Sequence, residues 1–89
     1  NTELATGIQI APMPVRSTTT VYVSTIEPGY TRVELVDVAG RVVQTLVDRN
    51  LSPGTWFVPL DVSVIPNGSY YVVLSTPSQR IVERMEVVR

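Results

Sequence analysis

The chain has 89 residues, a length that suits one small domain, and 32 of them are Val, Ile or Thr. Such β-branched side chains fit a pleated surface, which excludes a helical bundle or coiled coil; with 44% apolar and 17% charged residues, a disordered tail is excluded too. The net charge of −1, with both signs interspersed, leaves no nucleic-acid footprint.

The absences narrow the chemistry further. There is no Cys, His or Lys, and all seven basic residues are Arg. Disulfides, thiolate nucleophiles and zinc–thiolate sites are therefore out, and the commonest general base is missing. No apolar run approaches the ~20 residues of a membrane span. The sequence shows no initiator Met and no signal peptide, so it is expected to be a piece of a longer chain. A chain this small buries only about 60% of its unfolded surface, so modest stability and sensitivity to core truncation are expected.

Asn1–Gly7 is polar and reads as a tether. Gly7–Ile10 is a short strand with Ile8 and Ile10 on one face, stopped by Pro12-Met13-Pro14 because proline cannot donate to a ladder. Thr18–Ile26 alternates Val21 and Val23 with Tyr22 and Ser24. Pro28-Gly29 suggests a type II turn before a strand over Thr31–Val38. Ala39-Gly40 predicts a two-residue primed turn, and Arg41–Val47 returns with adjacent Val42 and Val43 that call for a bulge. Asp48–Gly54 reads as the longest polar connection. Trp56, Val58 and Leu60 then alternate with Thr55, Phe57 and Pro59, the proline marking an edge strand or a bulge. After a loop closed by Pro66-Asn67-Gly68, Tyr70, Val72 and Leu74 face one way and Tyr71 and Val73 the other, as in a central strand. Thr76–Gln79 turns into Arg80–Val88, where Ile81, Met85 and Val87 share a face that Glu83 interrupts. Seven strands at about 10–12-residue spacing imply an all-β fold, a seven-stranded antiparallel immunoglobulin-like β-sandwich.

Little in the residues points to catalysis. The seven serines have no His or Lys to activate them, and Asp37, Asp48 and Asp61 sit in separate turns. Calcium needs six to eight oxygens, and Asp48, Asn50 and Asp61 form no dense acidic loop, so no metal or cofactor is expected. Trp56, Tyr70 and Tyr71 could form an aromatic platform, but Trp56 and Tyr70 lie on the apolar faces and suit core packing. Asp37 and Gly40 fit hairpin closure, leaving Arg41 more open to a recognition role. Arg80 and Arg84 share a face of the last strand, with Arg89 on the other if alternation holds. They serve either to protect an edge or to dock on an acidic or phosphate-bearing surface. The apolar Val87-Val88 end suits β-augmentation and leaves a strand-paired or swapped dimer open.

Several segments together resemble one family. Val36-Asp37-Val38-Ala39-Gly40-Arg41-Val42-Val43 with Thr45-Leu46-Val47, then Leu51-Ser52-Pro53-Gly54 with Trp56 and Val58, then Asn67-Gly68-Ser69-Tyr70-Tyr71, and finally Arg80–Arg89 occur in order. This set is similar to the C-terminal sorting domains of the type IX (Por) secretion system, relatives of flagellar-hook-cap-type immunoglobulin-like domains. The family's frequent Pro-Asn-Pro is here Pro12-Met13-Pro14, its Trp-Asp-Gly keeps only Asp61, and its last-strand Lys is Arg84.

The resemblance implies a secretion address and no enzyme activity. The cargo would reach the periplasm by an N-terminal signal, and the folded domain would then engage the outer-membrane translocon. A sortase-like protease would remove it at the cell surface. Residues 1–7 would be the linker from the N-terminal cargo domain, and residues 8–89 the sorting domain. The implied recognition residues are Arg80, Arg84, Met85, Val87, Val88 and Arg89, with Asp37, Gly40, Arg41, Pro53, Gly54, Gly68 and Tyr70 as motif and turn positions. The alternative is a structural or adhesive immunoglobulin-like module of a secreted multidomain protein.

Overall fold

The computed structural model describes residues 6–89. Most of the expected tether, Asn1–Ala5, lies outside the described residues. Seven strands follow in chain order: β1 Gly7–Ala11, β2 Thr18–Thr25, β3 Gly29–Asp37, β4 Val42–Leu51, β5 Gly54–Asp61, β6 Gly68–Ser75 and β7 Arg80–Val87. They form two antiparallel sheets of order β1-β2-β5 and β4-β3-β6-β7. The expected immunoglobulin-like sandwich is therefore the fold.

Period-2 alternation builds the core. Val21 and Val23 from β2, Val33 and Leu35 from β3, and Val72 and Leu74 from β6 are fully buried between the sheets. β6 lies between β3 and β7, as its two apolar faces require, and even the outward Val73 is buried. Tyr70 fills the core at the start of β6, and its hydroxyl donates to the Pro66 carbonyl at 2.6 Å. This is a tyrosine corner, in which a core aromatic also ties down the preceding loop. Pro59 sits on β5, an edge strand, where its missing N–H costs no ladder bond.

Three turns differ from expectation. The β3–β4 hairpin is not a two-residue primed turn. The Gly40 amide donates to the Asp37 carbonyl at 2.9 Å and the Asp37 amide to the Arg41 carbonyl at 3.0 Å. Gly40 has φ +86°. Three residues thus bridge the strands, with Gly40 supplying the left-handed position. Pro28-Gly29 is not a type II turn either: Gly29 already pairs with Leu51, and the connection crosses from one sheet to the other. A Cβ at Gly29 would meet Pro77 Cγ at 2.7 Å, so glycine is needed for that close approach. Finally, Asp48–Asn50 continue β4, paired with Arg32, Thr31 and Tyr30. Their polarity reflects an exposed edge strand, and only Ser52-Pro53 connects to β5.

The irregular pattern of β4 does mark bulges. The register with β3 slips twice, passing over Val43 and over Leu46. Trp56 reaches the core from the rim and is only half-buried. The Arg49 guanidinium lies 5.7 Å from its ring centre, and its indole N–H donates to the Ser52 carbonyl at 3.2 Å. Arg49 is thus an inward charge at the sheet edge, covering an aromatic with its cation.

Candidate functional site

The β6–β7 hairpin pairs residue for residue, from Gly68 with Val87 to Ser75 with Arg80. On β7, Met85 and Val87 point inward and are buried, while Arg80, Val82 and Arg84 are exposed on the outer face. In the folded domain a partner can touch the second set and not the first, so Met85 and Val87 act by fixing the position of the strand.

Cross-strand registers place the outer face in rows. Val42, Val36, Tyr71 and Arg84 form one row, Thr45, Glu34, Val73 and Val82 the next, and Asp48, Arg32, Ser75 and Arg80 the third. An apolar centre of Val36, Tyr71, Val73 and Val82 is thereby flanked by charges. Arg84 bonds Glu86 Oε1 at 3.0 Å and Ser69 Oγ at 3.1 Å. Arg32 lies 3.7 Å from Glu34 and 3.8 Å from Asp48, exposed pairs that stabilise little. Arg80 makes no ion pair among the described residues.

The end of the chain is anchored differently. Val15, delivered by the Pro12-Met13-Pro14 segment, is fully buried and bridges the outer edge of β7. Its amide donates to the Glu86 carbonyl at 2.8 Å, and its carbonyl accepts from Val88 at 2.9 Å. The edge that a second strand could use is therefore occupied at Glu86–Val88, leaving the Arg80–Arg84 stretch. Val88 is half-exposed beyond it. Arg89 does not continue the alternation. Its guanidinium donates to the Val62 carbonyl at 2.8 Å and also to those of Arg16 and Ile65, and its amide to Asn67 Oδ1 at 3.3 Å.

The remaining motif residues are turn builders. Asp37 Oδ1 accepts from the Ala39 and Arg41 amides, both at 2.9 Å, and its Oδ2 from Arg41 Nε at 3.0 Å. The Arg41 amide, then the Ala39 amide and the Arg41 charge, hold the Asp37 carboxyl below its ordinary 3.8. Pro53 lies in the β4–β5 connection, Gly54 and Gly68 begin β5 and β6, and Tyr70 is the corner residue. Asp61 accepts from the Ser63 amide at 2.9 Å, a bond that lowers its pKa. Asp48 and Asn50 stand apart from it on β4.

The family of the secretion system C-terminal sorting domain matches residues 9–88. The chain belongs to that family. No curated protein sequence matches it. The match spans nearly every motif on which the resemblance rests, from β1 to the last strand. This sorting domain is a type IX secretion signal, and it marks an attached protein for export to the cell surface or beyond.

The three aromatics weighed as a platform do not stand together, and Trp56 and Tyr70 pack toward the core as their faces predict. Tyr70 is core, Trp56 is rim, and Tyr71 is half-buried on the opposite sheet's outer face. The aromatic pair that does meet in the open is Tyr22 with Phe57, whose ring centres are 5.2 Å apart at 74°. Its signal was present in the alternation of β2 and β5, which turns both rings away from the core, but their pairing depends on strand register.

Proposed function

We propose that the sorting domain is read by the translocon through the outer face of β7. Arg80 and Arg84 would engage acidic or phosphate groups while Tyr71 and Val82 supply apolar contact. The observation that supports this is the row arrangement on the β6–β7 hairpin, where two outward arginines flank an exposed apolar residue. Arginine's planar fork suits carboxylate or phosphate. Residues 8–89 act as the signal, and residues 1–7 join it to an N-terminal cargo that has passed through the periplasm. After export a sortase-like protease cuts within 1–7, before the paired part of β1, which leaves the sandwich whole.

A fusion tests each step. A reporter with an ordinary signal peptide is joined to this chain in a host with a working type IX system. Export with loss of the sandwich from the released reporter is expected. Periplasmic retention would overturn translocon reading, and export of the uncut fusion would overturn cleavage. Export undiminished by Arg80→Glu and Arg84→Glu would move recognition to another surface.

A further inference from the structure

The outer face of the β1-β2-β5 sheet plays no part in this reading, and its chemistry is distinct. Register brings Gln9, Tyr22 and Phe57 into one row, Gly7, Ser24 and Thr55 into the next, and Ala11, Thr20 and Pro59 into a third. None of these nine positions carries a charge. Asp61 stands at the far end, opposite Thr18, with its carboxylate turned to the Ser63 amide. Phe57 is 70% exposed although it packs against Tyr22. The two rings together give this otherwise polar face an aromatic surface.

Beside the rings lies a shallow cleft of about 370 Å³. Gly7, Ile8, Gln9, Tyr22, Ser24 and Thr55 line it. The Ser24 and Thr55 hydroxyls are 3.2 Å apart and bond each other, so together they still hold one hydroxyl proton and several lone pairs. The Gln9 amide adds donors and an acceptor on an exposed side chain.

We propose that this face binds an uncharged glycan. The C–H face of a pyranose ring stacks on Phe57, and Gln9, Ser24 and Thr55 bond its hydroxyls. The charge pattern selects this class. A polyol needs neutral donors and acceptors beside an aromatic surface, and these rows supply both. A phosphate or uronate would require a cation, and no arginine lies in them. The face of the other sheet, with Arg32, Arg80 and Arg84, has the reverse character.

The test is electrophoresis of this chain through gels cast with dextran, glucomannan, xyloglucan or mixed-linkage β-glucan, with polygalacturonate as the anionic comparison. Retardation by at least one neutral polymer is expected. Phe57→Ala should weaken it about tenfold, the effect of losing a central aromatic anchor. Gln9→Ala should weaken it less and Phe57→Tyr should keep it, both with the thermal midpoint unchanged, while Phe57→Ala lowers the midpoint slightly through its lost edge contact with Tyr22. Free passage through all four neutral gels would overturn the proposal. So would retardation that Phe57→Ala leaves intact, or retardation stronger in polygalacturonate. The proposal is independent of translocon reading, because none of its residues lies on β7.

Discussion

On the outer face of the β1-β2-β5 sheet stand Gln9, Thr20, Tyr22, Ser24, Thr55 and Phe57; on that of the β4-β3-β6-β7 sheet stand Arg32, Glu34, Tyr71, Val82, Arg84 and Glu86. The same alternation produces both, and each covers half of one core. The first face is neutral and rich in hydroxyls around an open phenyl ring. The second alternates charge with aliphatic surface. Neither pattern is needed to hold the sandwich, because the inner residues are mainly Val, Leu and Ile on both sheets, joined by Tyr70, Met85 and Trp56. A single small sandwich can thus present two surfaces of different chemistry, suited to different partners.

The sharpest perturbation strikes what the faces share. Leu74 is fully buried on β6. Leu74→Ala should cost about 2–5 kcal/mol, since it loses apolar contact and leaves a cavity. Chemical denaturation measures that loss. Export and glycan binding should then decline together, which sets the scale for recognising a face-specific effect. Loss of one activity alone in this variant would mean that the faces are not mechanically joined through the core.

A face-specific change should separate them. Arg84→Glu puts a like charge beside Glu86 and removes the bond to Ser69. Export of a fused reporter should fall about tenfold, equivalent to about 1.4 kcal/mol, while the urea midpoint moves little because the residue is exposed. Phe57→Ala should leave export unchanged. A drop in export from Phe57→Ala as large as that from Arg84→Glu would break the division of labour between the faces.

Two substitutions at the bottom of the sandwich leave both outer faces in place and should be smaller still. Tyr70→Phe removes the hydroxyl bond to Pro66 at a cost of about 1 kcal/mol. Gly40→Ala must adopt φ +86°, again at about 1 kcal/mol, with nothing within 4 Å of the added methyl. Denaturant titration checks both. A Gly40→Ala variant as stable as the parent would mean that the hairpin can be rebuilt without its left-handed residue.

The strands were legible because alternation is a local signal. Val21 and Val23 against Tyr22 and Ser24, or the double-faced Tyr70–Leu74 run, place themselves without any partner. Pro59 narrowed β5 to an edge strand or a bulge, and the sheet order makes it an edge. Connections were less legible. Asp48-Arg49-Asn50 look like a loop, because an exposed edge strand has no reason to be apolar on either side. Gly29 looks like a turn glycine, because its close contact with Pro77 comes from a segment 48 residues away. The candidate site was readable in part. The outward positions of Arg80 and Arg84 follow from period 2. The anchoring of Arg89 on the Val62 and Ile65 carbonyls does not, since it depends on where another loop passes. Val15 is similar: a valine between Pro14 and Arg16 gives no hint that it is fully buried against β7.

Acid should open both faces at once, and with the gentlest slope. The carboxylates held below their ordinary pKa, Glu27, Asp37 and Asp61, lie in a loop or at strand ends, away from the middle of either face. At one end Glu27, between β2 and β3, accepts from Ser78 at 2.5 Å and Thr76 at 3.0 Å, tying that loop to the β6–β7 turn. Those bonds, Ser78 first, lower it from the ordinary 4.5. At the other end Asp37 is lowered from 3.8, first by the Arg41 amide. A folded-state pKa below the unfolded one means that the unfolded chain binds more protons as pH falls. The stabilisation is therefore full above the ordinary value and is lost as pH drops through the folded one. For Glu27 the loss begins near 4.5, and for Asp37 near 3.8. Glu27→Gln and Asp37→Asn should each flatten the fall in thermal midpoint below pH 4.5 while lowering the midpoint at pH 7. Because the two bonds clamp opposite ends, the double variant should flatten the curve by the sum of the two effects. A flattening by one variant that equals the double would mean that the two ends of the sandwich open as a single unit.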